Sequence, residues 1–214
     1  MAPGRAWVCY CARMNFLAHL YLARDDRDLM LGALLGDFVR GRRQLWSWPS
    51  GIRNGIRLHR KIDRFTDHSR QVKTLQAQFL KPFRRYSGII IDLAFDHELA
   101  RSWAQFSEVP LADFDLEVRQ VLAEHKDDLP TELTQFMDYA DRRGLFEAYR
   151  HEEEMLFSLA GVGTRLKREN PLHRVAEIWP QLKPEVADAF ASFFPELQSR
   201  VIALRKRRST TTGS

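Results

Sequence analysis

Two aspartates and a histidine lie inside one of the most apolar runs of the sequence. Asp92, Asp96 and His97 lie within GIIIDLAFDHELARSW (residues 88–103), a composition typical of a buried helix. Asp92 and Asp96 are four residues apart and therefore share one helical face. Because isolated carboxylates are costly to bury, we expect them to be paired, protonated or bound to a metal. The pattern predicts a buried site built from carboxylates and an imidazole.

A second set of side chains has the same spacing further upstream. His59, Asp63 and Asp67 follow one another at steps of four within GIRLHRKIDRFTDHS. Two helices that each present a His/Asp stripe would form the two halves of a metal-centred hydrolytic site. Carboxylate, imidazole and water ligands suit Mn²⁺ and Mg²⁺, and no thiolate lies in the core pattern. We expect a divalent metal cofactor, with Mn²⁺ ahead of Mg²⁺.

Simpler structural roles are open to every one of these residues. A histidine on an apolar helix can bond a carbonyl, and an aspartate at a helix end can be a cap. One shared metal explains all of them together and is the preferred hypothesis. The alternative roles are a core histidine for His19, helix caps for Asp37 and Asp67, a surface pair of His59 with Asp63, and an ion pair of Asp92 with Arg84 or Arg85.

Length and periodicity predict a single compact all-α domain. The chain has 214 residues, no apolar run approaches the length of a membrane span, and strand-type alternation and hairpin dipeptides are absent. The domain is expected to cover residues 14–204, between a disordered extension at 1–13 and a basic disordered tail at 205–214, with Met14 as an alternative start. Segment 41–49 is predicted to be a loop. The predicted helices are 15–23, 29–39, 55–65, 72–83, 88–106, 114–124, 133–139, 145–160, 172–178 and 186–204.

Charge is distributed unevenly along the chain. Residues 37–101 hold 14 Lys and Arg against 6 Asp and Glu, whereas residues 102–204 hold 11 against 19. Five of the six acids in the first segment are candidate site residues, so the rim of the predicted site is strongly basic. This favours an acidic partner docking on one face, although a merely solubilising surface gives the same pattern. The two cysteines offer no disulfide framework, so the cytoplasm is the expected location.

Four segments together resemble a known family. In order, MNFLAHLYLA, GALLGDFVRG, GIRLHRKIDRFTD and RRYSGIIIDLAFDHELARSW are similar to segments of the acyl carrier protein phosphodiesterases, and the resemblance runs from residue 14 to about residue 205. It implies an all-helical fold similar to that of the HD-type metal-dependent phosphohydrolases. It also implies hydrolysis of the phosphodiester that joins 4′-phosphopantetheine to a serine of acyl carrier protein, a small acidic protein.

The candidate residues can be assigned roles in such a reaction, although spacing does not decide which carboxylate is a ligand and which is the general base. A cation would neutralise phosphate oxygens and lower the pKa of a bound water, while arginines would stabilise the phosphate charge. The expected metal ligands are Asp37, His59, Asp63, Asp96 and His97, with His19, Asp67 and Asp92 as supporting or alternative ligands. The expected catalytic residues are Asp63, Asp96, Arg60 and Arg85. Arg40, Arg57, Arg60, Arg84 and Arg85 are expected to bind phosphate or carrier protein, with Arg42, Arg43, Arg53 and Arg64 in the docking rim.

Two other functions stay open. One is an HD-type phosphohydrolase acting on a nucleotide such as guanosine tetraphosphate. The other is a non-enzymatic module that binds an acidic protein or RNA through the basic face. RNA is disfavoured because Trp46 and Trp48 are the only aromatic platforms expected on that face. We expect neither a nucleic acid nor a membrane among the partners.

Overall fold

The described part of the structure, a computed structural model, comprises residues 16–131, 133–135 and 146–211. These residues contain helices and no strand, which confirms the all-α prediction. No helix in these ranges is both long and apolar enough to cross a membrane. The helices are α1 (Phe16–Ala23), α2 (Arg27–Leu35), α3 (Gly41–Trp46), α4 (Ser50–His68), α5 (Arg70–Gln78), α6 (Ser87–Arg101), α7 (Leu111–Glu124), α8 (Glu152–Arg165) and α9 (Val175–Thr211).

Helix α6 lies at the centre of the core. Its buried residues extend from Ile90 to Ala100, and it packs against α1, α5, α8 and α9. Helix α1 is buried along its whole length, although eight residues are too few for a stable isolated helix in water. Tertiary packing therefore holds α1 in place.

Helices α2 and α4 have the most extensive contact of the described helix pairs, and two glycines make their close approach possible. A Cβ atom on Gly32 would lie 2.2 Å from the Ile52 carbonyl oxygen and 2.6 Å from the Cα of Gly55. Any side chain at this crossing would force the helices apart. Helix α4 therefore packs chiefly on α2, although its His/Asp stripe and the one in residues 88–103 were predicted to form two halves of one site.

Several predicted boundaries differ from the structure. Segment 41–49 contains the short helix α3, and segments 172–178 and 186–204 lie in or beside one continuous helix, α9, which includes Pro180, Pro184 and Pro195. Burial of an apolar face along α9 outweighs the backbone hydrogen bonds that the prolines cannot make. The helix predicted at 145–160 begins only at Glu152, after a 3₁₀ turn at Ala148–Arg150.

Three further predictions concern the two ends of the chain and the segment between α7 and α8. Most of the helix predicted at 133–139 and the extension predicted at 1–13 lie outside the described residues. Helix α9 continues to Thr211, so it includes the first seven residues of the predicted tail. The domain boundaries stay predictions.

Candidate metal centre

Four side chains converge where α1, α4 and the residues after α2 meet. His19 Nε2 lies 3.1 Å from Asp63 Oδ1, and His59 Nε2 lies 3.3 Å from Asp63 Oδ2 and 3.4 Å from Asp37 Oδ1. The two imidazole rings stack with their centroids 3.9 Å apart. His19, His59 and Asp63 each offer a ligand atom, and these atoms lie within 4.8 Å of one another. We refer to His19, Asp37, His59 and Asp63 as the metal cluster.

The sequence around Asp37 shapes this cluster. Helix α2 ends at Leu35, and Gly36 follows with helical backbone angles before Asp37. A Cβ atom on Gly36 would lie only 2.1 Å from His59 Cγ. The glycine of the GALLGD segment therefore leaves the space that the His59 ring occupies, while α4 brings Asp63 to the same face one turn later.

One hydrogen bond fixes the orientation of His59. Its Nδ1 atom lies 2.7 Å from the carbonyl oxygen of Ala33. A carbonyl oxygen only accepts hydrogen bonds, so Nδ1 donates and the lone pair of the neutral ring is on Nε2. That lone pair faces Asp37 and Asp63. Metal-binding histidines commonly use this arrangement, with one nitrogen bonded to a carbonyl and the other turned to the cation.

Electrostatics show that the cluster requires a positive charge. Although burial disfavours the charged imidazolium, the carboxylates of Asp37 and Asp63 raise the pKa of His59 to about 10. Burial alone would raise the pKa of Asp63, but His19 and His59 lower it far below its usual range. Burial and the neighbouring His59 lower the pKa of His19. Either a proton on His59 or a bound cation must therefore balance the two carboxylates.

Several atoms of the cluster lack hydrogen bonds to the described residues. Within that part of the chain, neither ring nitrogen of the fully buried His19 has a hydrogen bond, although Nε2 lies 3.1 Å from Asp63 Oδ1. Asp37 Oδ2 is likewise buried without a hydrogen bond from any described residue. A cation would satisfy such lone pairs, and two imidazoles with two carboxylates are a suitable donor set for a divalent transition metal. The residues present can therefore hold a divalent metal.

Asp96, predicted to be a ligand and a catalytic residue, has a different environment. It is fully buried, and its two oxygens accept hydrogen bonds from the backbone N–H groups of Leu17 (3.0 Å) and Ala18 (2.9 Å). These amides form the first turn of α1, where carboxylates cap a helix favourably. Burial raises the pKa of Asp96 despite the two amide hydrogen bonds. The carboxylate thus holds the helix that carries His19.

His97, another predicted ligand, is bonded to a different part of the fold. Its Nδ1 atom lies 2.7 Å from the Tyr149 carbonyl oxygen, and its ring meets Trp179 edge-on at 6.3 Å. These contacts anchor the segment before α8. Among the described residues, the group with mutually close ligand atoms does not include Asp96 or His97.

The remaining carboxylates lie beside these groups. Asp67 is exposed on the last turn of α4, one turn beyond Asp63. Asp92 is half-buried one turn before Asp96, and its charge opposes ionisation of that residue. Ser69, rather than Asp67, caps α5 by accepting a hydrogen bond from the Val72 amide.

The predicted phosphate-binding arginines fall into two groups. Arg60 is exposed, and its guanidinium donates to the Val39 carbonyl at 2.7 Å, two residues beyond Asp37. Arg84 and Arg85 are exposed in the 3₁₀ turn before α6. The hydrogen bond of Arg60 thus links its guanidinium to the segment that follows Asp37.

Cationic side chains and an exposed tryptophan form a surface on α3 and α4. Arg53 and Arg57 lie over the ring of Trp46 at 4.7 Å and 5.5 Å. The Trp46 side chain is 55% exposed. Arg40 precedes α3, while Arg42 and Arg43 are exposed on it. We refer to Arg42, Arg43, Trp46, Arg53 and Arg57 as the cationic platform.

His19 is the residue whose importance the sequence understated. It was expected as a supporting or alternative ligand because it is isolated from the other candidates in sequence. The indication that it could matter is that it is the one histidine of a helix that has no Asp, Glu, Lys or Arg, which implies burial and a need for a partner.

Comparison with known proteins identifies relatives of this chain. The family model for acyl carrier protein phosphodiesterase matches residues 14–197. The acyl carrier protein phosphodiesterase of Enterobacter sp. (strain 638) is 33% identical over 196 residues, which cover 91% of this chain and 99% of the relative. The enzyme of Escherichia coli (strain K12 / DH10B) is 32% identical, and the match covers 92% of this chain and 100% of the relative. The enzyme of Klebsiella pneumoniae (strain 342) is also 32% identical, and the match covers 86% of this chain and 95% of the relative.

No solved structure matches this chain. The similarity to the HD-type phosphohydrolase fold therefore stays a prediction. The match of the family model to most of the chain, and the identity with these relatives over nearly their whole length, place the chain in the acyl carrier protein phosphodiesterase family.

Proposed function

We propose that this protein hydrolyses the phosphodiester between 4′-phosphopantetheine and the serine of acyl carrier protein, with a divalent metal, Mn²⁺ before Mg²⁺, in the metal cluster. The observation that carries the metal assignment is the His59 Nε2 lone pair between two carboxylates and beside His19. Family membership supports the substrate. We place the reaction in the cytoplasm, in accord with the absence of a cysteine framework.

The residues of the metal cluster have separate roles in the proposed reaction. When bound, the cation would neutralise phosphate oxygens and make water a better nucleophile. His19, His59 and Asp63 would hold it. Asp37 has a buried oxygen that accepts no hydrogen bond from the described residues, so we assign it the proton that water loses as its oxygen attacks phosphorus. The bond from phosphorus to the serine oxygen would break, and that oxygen would take up the proton that Asp37 received, which restores the carboxylate.

Arg60 is the residue best placed to contact the phosphate. Its bond to the Val39 carbonyl holds the guanidinium beside the loop that bears Asp37. A guanidinium fixed there would strengthen its interaction as charge develops on the phosphate oxygens. Arg84 and Arg85 stay proposals for the same task, without a contact that supports them. Asp96 acts as a positioning residue through the N-terminus of α1.

The cationic platform is our proposed docking surface for the carrier protein. Arg53 and Arg57 flank the exposed Trp46, so acidic side chains and an apolar side chain of the partner could be bound together. Interfaces are enriched in such tryptophan and arginine anchors. Opposite charges also accelerate association with an acidic protein. Arg40 and Arg64 extend the positive charge along α3 and α4.

The test is incubation of the purified protein with holo-acyl carrier protein and Mn²⁺, followed by intact-mass measurement of the carrier protein. We expect loss of the phosphopantetheine mass, dependence on metal, and no product with Asp63→Asn. Asp67→Asn, the same change one turn along α4, is the matched control and should retain most activity. Guanosine tetraphosphate serves as a competing substrate.

Three results would contradict the proposal. Full activity after exhaustive chelation would exclude the metal. Full activity of Asp63→Asn would exclude the assigned centre. Turnover of guanosine tetraphosphate but not of holo carrier protein would show that the substrate is a nucleotide instead.

A further inference from the structure

A groove separate from the metal cluster lies between α4 and the last described turns of α9. Its volume is about 570 Å³, within the range of about 300–1,000 Å³ for small-molecule sites. The groove opens to solvent along one side. Its floor consists of apolar side chains from both helices: Ile62, Phe65, Leu197, Val201 and Leu204.

Helix geometry places the groove on a different face of α4 from the metal cluster. Asp63 and Phe65 are two residues apart, which is about 200° around a helix. Asp63 points to His19 and His59, whereas Phe65 faces α9, where its ring stacks on Phe193 at 5.8 Å. A molecule bound in the groove would therefore not occupy the position of a metal or phosphate.

The rim of the groove is entirely basic. Lys61, Arg64, His68 and Arg200 line it, and no acidic residue is among the described lining residues. Arg200 is partly used, because it lies over the Phe65 ring at 4.2 Å and pairs with Glu196 at 3.1 Å. Lys61 and Arg64 are exposed on α4 and form no ion pair within the described ranges. The groove thus offers an apolar floor with two cations available beside it.

We infer that this groove binds a single-chain anionic amphiphile, of which a long-chain fatty acid is the simplest example. The chain would lie on the floor between α4 and α9, where covering apolar surface supplies most of the affinity. The carboxylate would lie at Lys61 and Arg64. An uncharged chain would leave these cations unused, and a short acid would cover too little of the floor.

The inference is tested by titrating the full-length protein with a fluorescent long-chain fatty acid below its micellar concentration. Palmitate and hexadecanol, which have the same chain length with and without charge, serve as competitors. Ala203→Trp places a large ring in the groove from an exposed position and so avoids disturbing the core. Lys61→Glu reverses charge at the rim, and Lys73→Glu makes the same change on the exposed surface of α5 as the matched control.

We expect saturable binding at one site per chain. Ala203→Trp should weaken it by about tenfold or more, because the ring covers floor that the chain would otherwise cover. Lys61→Glu should weaken it about fivefold and reduce its salt dependence. Lys73→Glu should leave it unchanged, and hexadecanol should compete at least about tenfold less well than palmitate.

Four outcomes would overturn the inference. They are non-saturable binding to the parent protein, undiminished binding to Ala203→Trp, equal competition by the alcohol, and a dimer that Ala203→Trp dissociates in light scattering. The last would assign the groove to a second copy of the chain. None of these measurements uses turnover, so they are independent of the proposed function.

Discussion

The contact between Gly36 and His59 allows a substitution outside the metal cluster to test the cluster. Gly36 has φ −53° and ψ −38°, which alanine adopts without strain. In Gly36→Ala the new Cβ would lie 2.1 Å from His59 Cγ, whereas ordinary contact begins at 3.4 Å. The ring must therefore move by roughly 1.3 Å or the loop must shift.

That displacement exceeds the tolerance of a functional site, which is about 0.5 Å. We expect Gly36→Ala to lower kcat on holo carrier protein by about 100-fold and to weaken Mn²⁺ binding about 10–100-fold. Overpacking should lower the free energy of unfolding by about 1–3 kcal/mol. Calorimetric metal titration, steady-state kinetics and urea unfolding measure the three effects separately.

Gly161→Ala on α8 is the control, because a Cβ atom there meets nothing within 4 Å. It should leave metal affinity and turnover close to those of the parent, and it should raise the free energy of unfolding by about 0.4–1 kcal/mol because alanine loses less backbone entropy than glycine in a helix. If Gly36→Ala keeps metal affinity and turnover within about twofold of this control while it is folded, His59 does not bind the metal in the way described.

Three further predictions follow from the surrounding contacts. Asp96→Ala should lower the free energy of unfolding by about 2–4 kcal/mol in urea titrations, because two buried amides of α1 lose their acceptor; an unchanged midpoint would contradict the capping role. Because His59 has a raised pKa of about 10 and must lose its proton to bind a cation, apparent Mn²⁺ affinity should rise with pH between 6 and 9 by about tenfold per unit. Mn²⁺ binding should release about one proton, which is measured by calorimetry in buffers of different ionisation enthalpy. A Mn²⁺ affinity that does not change with pH would contradict this prediction. Without metal, the stabilising effect of the charged His59 should be complete below about pH 6.5 and disappear as pH rises through about 10. Trp46→Ala should raise KM for the carrier protein about tenfold with little change in kcat. Trp48→Ala, at a half-buried position beside the platform, provides a comparison. An unaltered KM in Trp46→Ala would remove Trp46 from the docking surface.

The sequence was a good guide where spacing along one helix determined geometry. Steps of four predicted that His59 and Asp63 share a face, and the structure places them 3.3 Å apart. Spacing carried no information on which helices meet. The same step-of-four rule joined Asp92 and Asp96 to the site, yet the apolar run around Asp96 packs it against the amides of α1.

Other differences arise because tertiary contacts override local preferences. Separate helices are predicted at 172–178 and 186–204, and the interval between them contains Pro180 and Pro184, whereas burial of one face keeps α9 continuous. The pairing of α2 with α4 depends on Gly32 and Gly55, two residues whose lack of a side chain is visible in the sequence but whose mutual contact is not.

The sequence separation of its contacts gives the metal cluster an order of assembly. His59 meets the Ala33 carbonyl across 26 residues, so the part of the cluster on α2 and α4 can form from a local helix pair. Helix α1 is held by Asp96 across 78 and 79 residues and by Gln198 across 177. Closing these longer loops costs more chain entropy and is slower. On the ribosome, His19 would therefore complete the cluster only after α6 has emerged, and a cation that arrives earlier would find the carboxylates and one imidazole.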